Sequence, residues 1–198
     1  MPGITTNPRL QASYFRVKYR GVFHIKSYYG NMHEWLKYNE WKGIWEGKDN
    51  RHEHYFLERT NLGGDKEFWA WWRVHKPSLG NPYYIYQMFV TFHGVGITGS
   101  EVMHKGKKYK VEKGEVEVKI RTWVELDQDE AWSKHKFLTL VHKIFPQRIF
   151  LNELEDHKKE AYRQSFQFQG FMKNYLKMRG FLPEKELKEF HPSRAFPG

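Results

Sequence analysis

Glu115-Val116-Glu117-Val118-Lys119-Ile120-Arg121-Thr122-Trp123-Val124-Glu125-Leu126 alternates apolar and charged residues almost without a break. A period of two puts Val116, Val118, Ile120, Val124 and Leu126 on one face and Glu115, Glu117, Lys119, Arg121 and Glu125 on the other. That is the pattern of a β-strand lying between a core and solvent. One residue departs from it. Trp123 occupies the charged face, where a large aromatic has no core to enter.

Working upstream, the same period recurs. Lys108–Val111 and Glu101–His104 flank Lys105-Gly106-Lys107, which reads as the tip of a short basic hairpin. Tyr83–His93 is apolar or aromatic on both sides. Phe68, Ala70, Trp72 and Val74 alternate with Trp69, Trp71, Arg73 and His75, so that strand is aromatic on both faces and belongs in a covered position. His54–Thr60 is a further strand, and Asn61-Leu62-Gly63-Gly64-Asp65 supplies the turn between these two. Tyr14–His24 is a half-buried strand: Phe15, Val17, Tyr19 and Phe23 share one face, and Arg16, Lys18 and Arg20 share the other. Between the first strand and the rest, Asn31-Met32-His33-Glu34 has the form of a capping box opening a short helix with Met32, Trp35 and Leu36 on one side.

Downstream the period changes to that of helices. Asp129 caps a predicted helix reaching Phe145, which Pro146 breaks. A longer one is expected over 147–179, with Phe150, Leu154, Ala161, Phe168, Met172, Tyr175 and Leu176 as a drifting stripe and Gly180 as its stop. The expected fold class is α+β: an antiparallel sheet of about five to seven strands, a helix after the first strand, and long C-terminal helices packed on the sheet. The expected organisation is an irregular arm over 1–12, one domain over 13–180 and an irregular tail over 181–198. This element order resembles the helix-grip fold of the START and plant-allergen ligand-binding proteins. The resemblance implies a helix held in the concavity of the sheet, and it rests on element order without a shared motif.

Composition narrows the function classes. The chain of 198 residues has 15 Phe, 12 Tyr and 8 Trp, a formal charge of +10 and no cysteine. Without thiols there is no disulfide, thiolate metal site or cysteine nucleophile. A mean hydropathy of -0.82 predicts no membrane span. Residues 1–9 carry no basic region followed by an apolar stretch, so no secretory signal is expected. The product is read as made and kept in the cytoplasm unless a dedicated export or lysis route releases it.

Motif by motif, catalysis finds little support. Gly94-Val95-Gly96-Ile97-Thr98-Gly99 spells GxGxxG, but a strand follows it where a dinucleotide fingerprint needs a helix, so a glycine-rich bend or bulge is expected instead. No serine lies in a nucleophile elbow. His52 and His54 are weak metal candidates on the expectation that i and i+2 share a strand face, and no metal or other cofactor is predicted. Glu153, His157 and Glu160 share a helix face without the spacing of a carboxylate di-iron site.

The leading expectation is therefore a non-enzymatic structural or assembly protein forming a homo-oligomeric particle, tube or filament, with a virion or virus-like particle as one setting. Trp69, Trp71, Trp123, Phe171 and Tyr175 are its candidate interface residues, since Trp, Tyr and Arg anchor interfaces. The alternative is binding of single-stranded DNA or RNA through Arg16, Lys18 and Arg20 on the first strand and Lys105, Lys107, Lys108 and Lys110 on the hairpin, with Tyr14 or Tyr109 as stacking platforms. A helix-grip small-ligand-binding domain is the third reading.

Overall fold

The computed structural model describes residues 9–44, 51–78, 80–81, 83–104, 107–126 and 151–178. Its elements are β1 (Arg9–Phe23), α1 (Ile25–Tyr38), β2 (Lys42–Gly43), β3 (Glu53–Thr60), β4 (Lys66–Pro77), β5 (Tyr84–His104), β6 (Lys107–Leu126) and α2 (Leu151–Tyr175). All the strand pairs are antiparallel and form one sheet in the order β1-β6-β5-β4-β2, with β3 also on β4. The fold is α+β. β2 pairs with β4 at Val74 and His75, and β3 pairs with it from Trp72 back to Lys66, so the two short strands share one edge of β4 in succession.

The strand alternation decides which face enters the core. Val116, Val118, Ile120, Val124 and Leu126 of β6 are buried together with Phe68, Ala70, Trp72 and Val74 of β4 and Tyr84, Tyr86, Met88, Val90 and Phe92 of β5. Both helices pack on this inner face. Tyr28, Met32 and Leu36 recur every four residues along α1 and are buried, as are Leu154, Ala161, Phe168 and Met172 of α2. Tyr28, Trp72, Phe92 and Phe168 are essentially fully buried and fill the space between sheet and helices. Each large aromatic enclosed this way contributes about 2–3 kcal/mol.

Glycines mark two irregular points. The GxGxxG stretch lies within β5, where the register on β6 shifts between Val95 and Thr98 and Gly96 takes φ 61°. The expected bulge is therefore what the motif encodes, and the two strands expected either side of it are one. Gly94 lets the Phe68 ring lie against the backbone, because a Cβ at that position would overlap the ring.

Several boundaries differ from expectation. α1 begins six residues before the capping box: His24 is the N-cap, its Nδ1 accepting the Ser27 N–H at 3.1 Å, and Ile25 N–H donates to Glu112 Oε2 at 3.1 Å. Asn31 lies inside the helix, donating from Nδ2 to the Ser27 carbonyl at 2.7 Å. β1 reaches back to Arg9, which opposes Glu125. The helix expected to reach residue 179 ends at Tyr175, where the chain turns and Lys177 takes φ 52°. The predicted helix over 129–145, residues 147–150 and 179 of the longer one, Gly180 and the tail over 181–198 lie outside the described residues.

Candidate interaction face

The outer face of the sheet carries the side chains that the alternation turns away from the core. On β4 these are Glu67, Trp69, Trp71 and Arg73, and each meets the residue directly across the ladder. Trp71 stacks on Tyr55 of β3 with centroids 4.5 Å apart, and the pair stays open to solvent, Trp71 at 41% and Tyr55 at 37% exposure. Trp69 stacks on His93 of β5 at 5.1 Å, nearly parallel, while the Arg59 guanidinium lies 5.3 Å from the Trp69 ring. Arg73 stands over Phe89 at 5.2 Å, and Phe89 packs against Trp123 at 4.7 Å. Trp123, the exception in its own strand, thus finds its neighbour on β5.

Carboxylates between these groups tie the cations down. Glu67 accepts from Arg59 Nη2 at 2.8 Å and lies 3.0 Å from His93 Nε2. The hydrogen bond with His93, followed by Arg59, holds its carboxyl below the usual range. On the other half of the face, Arg16 pairs with Glu117, Lys18 with Glu115 at 2.8 Å, and Lys119 with Glu117 at 3.3 Å. Burial pushes the Glu117 carboxyl up, but the Arg16 and Lys119 contacts outweigh it and hold it low. Arg121 lies over the exposed Tyr14 ring at 5.3 Å. Arg20 is exposed opposite Glu115.

The sequence-predicted residues therefore divide. Trp69, Trp71, Trp123, Arg16, Lys18 and Arg20, assigned to two different functions, share one face. Lys108 and Lys110 are not part of it. They are even-numbered in β6, like the core residues, so they leave the strand from the opposite side, and Lys108 is about 36 Å along the strand from Lys119. Lys108 pairs with Glu101 at 3.8 Å. Lys105 lies outside the described residues, and of Lys107 only its backbone pairing with His104 is described.

Phe171 and Tyr175 are engaged within the chain: Phe171 lies 6.2 Å from the Trp35 ring and Tyr175 5.4 Å from Tyr28. Tyr55 and Leu57, which flank the tryptophans, were not singled out from sequence. Their signal was available, since three consecutive apolar residues in a strand with charged ends expose one side or the other.

His52 and His54 do not converge. A register shift between Glu53 and Tyr55 breaks the i, i+2 alignment, leaving His54 exposed and His52 at 1% exposure. His52 Nε2 lies 2.9 Å from the Trp41 carbonyl, and its Nδ1 has no hydrogen-bond partner among the described residues. The His33 ring packs beside it at 4.6 Å. Burial first, and His33 second, hold the imidazole down at about 4, so it is neutral at physiological pH. No group of three or more metal-ligating side chains exists among the described residues.

A second concave feature lies where α1 begins. A groove of about 470 Å³ is lined by Ile25, Lys26, Tyr29, Glu53, Phe56, Glu58 and Phe68. Trp72 Nε1 donates to Tyr29 Oη at 2.5 Å, and the Tyr29 hydroxyl donates to Glu53. Burial and the Glu53 hydrogen bond push the phenol well above its usual range, so it stays protonated and acts as a donor, not as a base or nucleophile.

No family model matches the chain, and no curated protein matches it. Among solved structures, one similarity is to the di-domain ARO/CYC StfQ from the steffimycin biosynthetic pathway, at 9% identity and a TM-score of 0.17, covering 75% of this chain and 49% of that one. The chain spans about half the length of that protein, and a likeness of this degree carries no functional argument. Among the described residues no helix is long and apolar enough to cross a membrane.

Proposed function

We propose that this chain is a non-enzymatic assembly protein that binds copies of itself through the outer face of its sheet. The observation that carries this reading is the stacked, solvent-open Trp71–Tyr55 pair beside Trp69, Arg59 and Arg73. Both described helices lie on the opposite face, and on the outer one the stretch around Trp71 and Tyr55 is open to solvent while Gln87 and Glu125 at one end are buried. Trp, Tyr and Arg held in place by stacking lose little entropy on docking, which is why they dominate interfaces. The carboxylates that neutralise most cations on this face favour a protein partner over a polyanion. In light scattering, the wild-type protein forms large symmetric particles or filaments, and Trp71→Ser shifts it to smaller species with an unchanged circular dichroism spectrum. A monodisperse wild-type monomer at high concentration overturns the reading.

A second reading, binding of single-stranded nucleic acid, draws support from Arg20 and from the exposed Tyr14 with Arg121 over its ring. It predicts affinity for single strands that falls steeply with salt and is lost in an Arg16→Glu, Lys18→Glu, Arg20→Glu variant. We also read the architecture as a helix grip, supported by the order strand, helix, antiparallel strands, helix. In that reading a small ligand would enter at the Tyr29–Phe56–Phe68 groove, because aromatic side chains fill the interior.

A further inference from the structure

We infer that β3 is a second self-association site, at which two copies join edge to edge in one continuous antiparallel sheet with Leu57 facing Leu57 across a two-fold axis. This rests on the self-assembly reading above and adds to it a particular strand and register.

β3 pairs with β4 along one edge only, and among the described residues no strand pairs with the other. All eight of its residues are exposed, including Tyr55, Phe56 and Leu57 in succession. An edge of this kind is a template for another strand, and proteins blunt such edges unless they are used. The register shift near His54 irregularises the start of β3 and leaves Tyr55–Thr60 regular.

The backbone selects how a second copy can pair. Asn61 N–H donates to the Asp65 carbonyl at 2.8 Å. Odd-numbered residues therefore turn their hydrogen-bonding groups toward β4, and Phe56, Glu58 and Thr60 turn theirs outward. Two such edges pair only when outward residues oppose outward residues, so the two-fold must pass through a residue and not between two. An axis at Glu58 sets two carboxylates directly opposite each other, which is unfavourable. An axis at Phe56 depends for its next pair on His54, where the strand is irregular.

An axis at Leu57 avoids both faults. Phe56 and Glu58 then exchange backbone hydrogen bonds on each side of the axis, and Leu57 meets Leu57 at a non-hydrogen-bonded position, where side chains come closest. On the outer face, Tyr55 opposes the partner's Arg59, whose guanidinium already lies over Trp69. The complementarity is cation to ring: Arg59 becomes held between Trp69 of its own copy and the incoming tyrosine. The opposing pairs place no like charges together, which argues for a second copy as the occupant.

The cysteine-free chain makes the test direct. Single-cysteine variants Leu57→Cys, Phe56→Cys and Glu58→Cys, all at exposed positions, are oxidised mildly and run on non-reducing gels, alongside light scattering of each. Disulfide dimer forming at least about tenfold faster in Leu57→Cys than in the other two supports the register, since only a non-hydrogen-bonded self-opposed pair brings the Cβ atoms within bridging range. Leu57→Lys then lowers the mass of the assembly. Faster cross-linking of Phe56→Cys or Glu58→Cys overturns the register. Large assemblies without selective cross-linking overturn the edge contact and leave the proposed function standing, with β3 either covered by another part of the chain or used by a different partner. Monomers without cross-links overturn both.

Discussion

His52 makes the stability of this protein depend on pH in a way that can be calculated. The imidazole is buried, its Nδ1 has no partner among the described residues, and its folded-state value is about 4 against an ordinary 6.5. A base whose affinity for protons is lowered by folding stabilises the native state fully above the unfolded value. That contribution is lost as pH falls from about 6.5 toward 4, because the unfolded chain takes up a proton that the folded chain refuses. Between about pH 7.5 and 5.0, linkage gives a loss of about 2 kcal/mol from this residue alone. His52→Gln keeps a donor for the Trp41 carbonyl and removes the titration. Urea unfolding of both proteins at the two pH values isolates the effect, since every other ionisable group is common to the two, including His33, Glu34 and Lys37 beside it. The wild type should lose about 2 kcal/mol more than the variant over that interval. Parallel losses would refute the argument that a buried, proton-refusing imidazole sits against Trp41.

Three further substitutions, one of them with a paired control, test the packing. Thr122 is fully buried and its Oγ1 has no hydrogen-bond partner among the described residues, so Thr122→Val should stabilise the fold by about 1 kcal/mol and raise the melting temperature by about 2–4 °C in a thermal scan. Tyr29→Phe removes the acceptor of the buried Trp72 indole N–H and should cost about 1–3 kcal/mol in urea unfolding, with a shift in Trp fluorescence. Gly94→Ala drives a methyl group into the Phe68 ring and should cost about 1–3 kcal/mol by the same measurement, whereas Gly30→Ala, which meets nothing within 4 Å, should be neutral or stabilising.

The parts of the fold legible in the sequence were those with a short, strict period. β6 could be read from Glu115–Leu126 because alternation is a local property, and β4 likewise from its tryptophans. The α2 stripe could be read because Leu154, Ala161, Phe168 and Met172 repeat at helical spacing. The start of α1 could not, since His24 is an uncommon cap and Asn31 in a capping-box pattern competed with it. Which edge β3 takes is a matter of sheet order, and that His52 lies inside while His54 lies outside depends on a register shift that no pattern of residue types announces. The candidate face was half legible: Trp123 stood out against its strand, but the meeting of the basic and aromatic sets on one surface required the sheet order.

The pairing of β1 with β6 joins Arg9 to Glu125, the two ends of most of the chain. During synthesis, β1 leaves the ribosome long before its partner exists. At about 5–20 residues per second the wait lasts roughly 6–25 seconds. Throughout it the strand has its apolar face and both edges open. Arg16, Lys18 and Arg20 then act as gatekeepers, because like charges on every copy keep nascent first strands apart until Glu115 and Glu117 arrive to neutralise them. The same ion pairs that quiet the finished face thus report that the sheet has been completed.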